Sequence, residues 1–246
     1  MSIDLQTTVG ELVVEKPSRA RLFESLGIDY CCGGRKPLAE ACREKNLDPE
    51  TVARVLDVAD EPRSSEFVPD IDFRRMSLTE LADHIEIAHH AWLKRELPRI
   101  QYLIRRVVNA HGHRHTYLPK LLETFLAFER EMMQHMAKEE QVLFPMVREL
   151  DAADEPLRFH CGSLNNPIHV MEHEHDQAGA ALERMRALTN GFTPPADACN
   201  TFRVMLDALR QVEEDTHQHV HKENNILFPR ALEREAQMNS QMGASA

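Results

Sequence analysis

Long apolar runs are missing from this chain of 246 residues, which excludes a membrane-spanning helix built on about 20 consecutive apolar side chains. The stretch Met1 to Glu15 lacks a basic segment followed by an apolar one, so no secretory signal is expected there. Cysteine is sparse and odd in number, five in all, and scattered apart from the adjacent Cys31 and Cys32. That usage argues against a disulfide framework and for a reducing compartment, so the expected location is the cytoplasm. Basic residues are outnumbered 29 to 40 by acidic ones, and the formal charge of -11 opposes non-specific nucleic-acid binding. No segment shows the apolar alternation of a strand, which leaves an all-α fold. Nucleophilic catalysis of the Ser-His-Asp or Cys-His kind has no local support either.

What the chain does hold is a phrase spoken twice. His135-Met136-Ala137-Lys138-Glu139-Glu140-Gln141-Val142-Leu143-Phe144-Pro145 recurs as His219-Val220-His221-Lys222-Glu223-Asn224-Asn225-Ile226-Leu227-Phe228-Pro229. The copies stand 84 residues apart, the length of a helical hairpin, so a duplicated pair of helices predicts a four-helix bundle. Each copy sets a His four residues before a Glu, and residues four apart share a helical face. Each therefore aims one imidazole and one carboxylate into the same space.

The rest of the chain fits that plan. Residues 1–60 read as a small N-terminal domain of short helices: Thr8 with Glu11 forms a capping box, Pro17-Ser18 opens a helix ending at Gly27, Pro37 precedes a third, and Asp48-Pro49 opens a fourth through Ala59. Residues 61–76 read as a linker and 77–236 as the bundle, opened by a second capping box, Ser77 with Glu80; a disordered tail is expected over 237–246. The bundle helices are predicted over about 77–110, 118–152, 168–189 and 196–235, with His111 to His115 in a loop.

Counting at steps of three and four gives one inward stripe per helix. They read His90, Leu93, Leu97, Ile100, Ile104, Val107; Phe125, Phe128, Met132, His135, Glu139, Val142, Met146; Ile168, Met171, His175, Ala178, Leu182, Met185; and Phe202, Met205, Leu209, Val212, Thr216, His219, Glu223, Ile226. His90, His135, Glu139, His175, His219 and Glu223 thus face the core. Burying two unpaired carboxylates costs several kcal/mol each, a penalty that a pair of cations removes. Four imidazoles and two carboxylates without a thiolate suit two iron or manganese ions, bridged by the carboxylates, better than closed tetrahedral zinc. Iron is the expected metal, with coordination positions left open. Glu131 and Asp215, one turn before His135 and His219, and Glu174, beside His175, are expected to orient imidazoles or move protons. His173, His217 and His221 share polar faces and are expected to be solvated or outside the ligand set; His84 and His89 stay open.

Cys31-Cys32-Gly33-Gly34 forms a turn, and backbone N–H groups with Arg35 and Lys36 are expected to lower a thiol pKa there. The expectation is a functional thiol pair, redox-active or handling metal transiently. Cys42, Cys161 and Cys199 read as ordinary residues.

Asp29-Tyr30-Cys31-Cys32-Gly33-Gly34, the two repeated phrases and Val170-Met171-Glu172-His173-Glu174-His175-Asp176 together resemble the repair-of-iron-centres di-iron family, with a haemerythrin-like bundle. The resemblance implies a cytoplasmic protein of bacterial nitrosative or oxidative stress that restores damaged iron-sulfur clusters and binds or reduces nitric oxide. Carried over by position, it implies His90, His135, Glu139, His175, His219 and Glu223 as ligands of two iron ions, with the glutamates bridging and Glu131 and Glu174 as acids near the iron. His173 and the His217 to His221 cluster have no counterpart in that pattern. Three functions compete: iron donation to damaged iron-sulfur proteins as clients, a di-iron nitric oxide reductase, and a haemerythrin-like store or sensor of nitric oxide or oxygen. No nucleic acid or membrane is expected as a partner, and a homodimer is left open.

Overall fold

The computed structural model describes residues 3–60 and 71–244. Its described residues are helical without a named strand; the only pairing is an isolated bridge between Thr8 and Pro37. Four short helices come first: α1 (Val9–Glu15), α2 (Ala20–Leu26), α3 (Leu38–Glu44) and α4 (Pro49–Ala59). Local chemistry sets their ends. Thr8 and Glu11 cap α1 reciprocally, Asp48 caps α4 ahead of Pro49, and Gly27 ends α2 at φ 66°, a left-handed conformation that costs glycine little. Val9, Leu12, Phe23, Leu38 and Leu56 close a core of their own.

The bundle follows as α5 (Leu78–Ile85), α6 (Ala91–His111), α7 (Leu118–Lys138), α8 (Phe144–Ala152), α9 (Asn165–Leu188), α10 (Asn200–Lys222) and α11 (Phe228–Ala244). The Ser77–Glu80 capping box opens α5 as expected. Three joints inside the long rods are π-helical turns: Glu86–His90, Glu139–Leu143 and Glu223–Leu227. In the last two, Phe144 N–H and Phe228 N–H reach back to Glu139 O and Glu223 O. Each Phe is followed by Pro145 or Pro229, which lacks an N–H and crowds the carbonyl four residues back, so a widened turn just before it relieves that conflict.

The extra residue shifts the stripe. Val142, expected inward, is 43 % exposed, and Leu143 is buried in its place. Other stripe positions lie inside as expected, with Ala178 only half-buried. The expected tail is also corrected: α11 continues through Ala244, and Met238 is buried against the bundle. Of the expected linker, residues 61–70 lie outside the described residues; the remainder holds a 3-10 turn, Phe73–Arg75, with Phe73 against His84 at 4.9 Å between ring centroids.

Two apolar cores fill the bundle. One, around Leu97, Phe125, Phe128, Met185 and Leu209, lies on the α6–α7–α9–α10 side. The other, around Leu81, Phe144, Leu164, Ile168 and Phe228, involves α5, α8 and α11. The π turns join these sides, so the polar stripe residues fall between the two cores.

The N-terminal helices dock on the third π turn. Asn225 Nδ2 donates to Cys31 O at 3.1 Å, and His221 Nδ1 stands 3.2 Å from Tyr30 O. Glycine is required at this seam: a Cβ on Gly10 or on Gly34 would stand 2.5 Å from Asn225 Oδ1.

Candidate metal centre

The repeated phrases deliver what their spacing demands. His135 and Glu139 lie on one face across the start of a π turn, as do His219 and Glu223. Two sets of donors result, His90, Glu139, His219, Glu223 and His135, Glu139, His175, Glu223, each with its ligand atoms within 4.8 Å of one another. Both glutamates belong to both sets. His90 Nε2 faces His219 Nε2 at 3.0 Å, and His175 Nε2 faces His135 Nε2 at 3.1 Å. Around them, Glu139 Oε2 lies 3.2 Å from His135 Nε2 and 3.4 Å from His90 Nε2, while Glu223 lies 2.9 Å from His219 and 3.2 Å from His175.

Both carboxylates are 0 % exposed, yet both Glu139 oxygens and Glu223 Oε2 lack a hydrogen-bond partner among the described residues. A protein does not ordinarily strand buried carboxylate oxygens, each costing about 1–3 kcal/mol. Facing imidazole nitrogens and orphaned carboxylates fit metal ions in the gap between them. Without a metal, burial opposes charge on His135, but Glu139 and Glu174 outweigh it and its pKa is pushed up to about 10. Burial prevails at His219, whose pKa falls to about 4.

Partners behind the imidazoles fix which nitrogen faces the gap. His90 Nδ1 is 2.8 Å from Glu140, His135 Nδ1 is 3.1 Å from Glu174, and His175 Nδ1 is 2.8 Å from Asn224. An Nδ1–H donating to these oxygens leaves the Nε2 lone pair for a metal. Glu174 also holds Lys138, and its bonds to His135 and Lys138 bring its pKa down to about 2. Sequence reasoning missed Glu140 and Asn224, although each directly follows the repeated glutamate and so occupies the same place in both phrases.

Other expectations change. Glu131 does not reach His135: it is half-exposed and pairs with Arg130 at 3.3 Å, because its position turns it toward solvent. It does line, with Glu174, Lys138 and Phe128, a cavity of about 60 Å³ whose wall includes His135 and His175. Asp215 bonds His89 Nδ1 at 2.9 Å rather than His219, and burial raises its pKa to about 6. His89 also bonds the buried Lys222 at 2.6 Å and stacks on His219 at 5.5 Å between centroids. His221, expected to be solvated or to stand behind the ligands, is buried under Tyr30, and His217 stands edge-on to the same ring. His173 is exposed beside Gln177.

The expected lowering of a thiol pKa is reversed at Cys31. Cys31 is buried, and its thiol is pushed well above the ordinary cysteine range by its contact with Cys32, by burial and by Asp29. The backbone donors that would favour a thiolate are taken: Cys31 N–H and Gly33 N–H both donate to Asp29 at 2.9 Å. Arg35 turns to Glu172, and Lys36 to Glu44. The two sulfurs are 4.0 Å apart and free, and Cys32 Sγ is 4.0 Å from where a Cβ of Gly179, one turn beyond His175 on α9, would stand.

Residues 81–231 match the hemerythrin HHE cation binding domain, and residues 5–60 match ScdA_N, a domain of unknown function (DUF542). Among curated relatives, the iron-sulfur cluster repair protein YtfE of Escherichia coli O157:H7 is 36% identical over 226 residues, 91% of this chain and 96% of its own. The YtfE proteins of Enterobacter sp. (strain 638), 35% identical over 225 residues, and of Citrobacter koseri, 36% over 226, cover the same shares. Among the described residues no helix is long and apolar enough to cross a membrane.

Proposed function

The chain belongs to the family of the YtfE iron-sulfur cluster repair proteins, with a hemerythrin HHE cation-binding domain as its bundle, and from that premise we propose that it restores damaged iron-sulfur clusters using two iron ions held between His90, His135, His175, His219, Glu139 and Glu223. The observation that carries this reading is the sharing of Glu139 and Glu223 by both donor sets, with three of their oxygens orphaned. A carboxylate common to two sets is positioned to bridge. The absence of a thiolate from the layer and its six nitrogen and oxygen donors favour iron over structural zinc. Two ions that each take up to six ligands would need more than six side chains supply, so iron held by these residues would keep positions open to a small ligand such as nitric oxide and would supply redox chemistry there.

The protein's own groups do the rest. Glu140, Glu174 and Asn224 hold three imidazoles in the metal-facing tautomer. Phe128 and Met132 line one side of the cavity beside His135, and Glu131, Lys138 and Glu174 line another. Its volume of about 60 Å³ exceeds the roughly 10–15 Å³ that one water needs, so it admits a diatomic ligand. Iron as cargo leaves along the same acidic wall for a client in the cytoplasm, with Cys31 and Cys32 at the client-facing turn.

The test is anaerobic. Di-ferrous protein is incubated with an iron-sulfur protein whose cluster has been damaged by nitric oxide, and client activity, iron transfer and nitrous oxide are followed together. Client recovery that tracks iron transfer is the expected outcome, and Cys31→Ala/Cys32→Ala should keep the iron spectrum while slowing recovery. Nitrous oxide without client recovery would replace donation with nitric oxide reduction.

A further inference from the structure

The opposite end of the bundle gathers metal-type donors that the buried layer does not use. Helix α6 ends at His111, and a single turn closed by His115 N–H to His111 O at 2.9 Å returns His115 beside it. The segment ahead of α10, which contains Pro194 and Pro195, carries Asp197 and Cys199 to the same end of the bundle. His115 Nε2 lies 3.0 and 3.3 Å from the two oxygens of Asp197, and His111 Nε2 lies 3.3 Å from Cys199 Sγ. One donor each from His111, His115 and Asp197 fall within 4.8 Å of one another, and the exposed Cys199, in contact with His111 but outside that group, has to swing in to complete a tetrahedron. Donors placed about 2.0–2.3 Å from a tetrahedral zinc ion stand about 3.3–3.7 Å apart, close to the spacing found here.

The rings are held in place. Phe202, fully buried, packs against both imidazoles at 5.4 and 5.5 Å between centroids. An ion pair needs only His115 and Asp197. It requires neither a second imidazole within 4.8 Å of that pair nor a thiol against that imidazole. The side chains are half-buried or exposed, so an ion can enter from solvent. Arg114, 3.6 Å from Asp197 and largely exposed, is the one cation that must move aside. His90 and His111 are 21 residues apart along α6, about 30 Å, so this cluster is separate from the buried layer.

We propose that His111, His115, Asp197 and Cys199 bind a second metal, one divalent ion of the zinc class, and so clamp the α6–α7 and α9–α10 connections together. Binding takes the Cys199 thiol to thiolate, its proton passing to solvent, while the imidazoles bind neutral and the carboxylate ionised. Two nitrogens, one sulfur and one oxygen form a borderline-soft tetrahedron, unlike the His/Glu layer.

The test uses iron-loaded full-length protein titrated with Co²⁺ as the spectroscopic reporter, then with Zn²⁺ as competitor. The expected result is one Co²⁺ per chain beyond the iron, with tetrahedral ligand-field bands and a sulfur-to-cobalt charge-transfer band, all displaced by Zn²⁺ with iron content unchanged. His111→Ala and His115→Ala should each weaken binding by at least the roughly 10–100-fold that loss of a mere outer partner costs. Cys199→Ser should remove the charge-transfer band, and Cys31→Ala/Cys32→Ala should keep it. Circular dichroism and iron content confirm that each variant is folded. No cobalt beyond the iron layer, binding indifferent to His115 and Cys199, or a band lost with Cys31 and Cys32 would each overturn the proposal.

Discussion

Replacing Glu139 by methionine should destabilise the metal-free protein and destabilise the iron-loaded protein further. The side chain is 0 % exposed, and Glu223 is a second buried carboxylate in the same layer. In the metal-free state Glu139 stands 3.2 Å from His135 and, with Glu174, holds its pKa up to about 10, so Glu139→Met takes one partner from a buried charged pair while nearly keeping length and volume. Removing one partner of a buried pair costs about 3–5 kcal/mol, less the relief of the repulsion between Glu139 and Glu223. At about 2–4 °C per kcal/mol for a chain of this size, the metal-free Tm should fall by up to about 20 °C. With iron the loss grows, because metal binding to the native state is folding free energy and the variant has lost a carboxylate common to both donor sets. Thermal unfolding of wild type and variant, with and without anaerobic ferrous iron, measures both arms. A metal-free Glu139→Met protein as stable as wild type, or an iron-loaded one no further destabilised, would refute the reasoning.

Two further outcomes follow from the geometry around the layer. Glu174→Gln keeps the shape but weakens the acceptor behind His135, so competition with a ferrous chelator should show iron affinity down by about 10–100-fold, while His113→Ala, exposed at the distal turn, should leave it unchanged. Gly34→Ala places a methyl 2.5 Å from Asn225 Oδ1 and 2.7 Å from Tyr30 O; overpacking of about 1–3 kcal/mol should loosen the N-terminal helices, read as faster limited proteolysis before residue 60 with the bundle intact.

Much of this architecture is legible because the signals are local and repeated. Capping boxes at Thr8 and Ser77 and prolines at helix starts act over one turn, so the N-terminal helices form where the chain announces them. The His-x3-Glu spacing survives because both residues fall on one face, and the stripes place His90 and His175 opposite. The π turns were not legible: a 3.6-residue period tolerates one inserted residue over a short stripe, and only the exchange of Val142 for Leu143 reveals it. Contacts between distant segments were hidden as well. Burial of His221 depends on Tyr30, nearly two hundred residues earlier, and the Cys31 turn is gripped by Asn225 from the far end of the chain.

The two asparagines after Glu223 give the third π turn two grips. Asn224 reaches inward to His175, and Asn225 reaches outward to the carbonyl of Cys31. The backbone that carries Glu223 is thereby shared between the buried layer and the cysteine turn. Linkage then makes the two sites thermodynamically reciprocal: by whatever factor a client seated on the cysteine turn changes the affinity of the bundle for metal, a loaded bundle changes its affinity for that client. Where that factor differs from one, full and empty bundles hold such a client with different strengths.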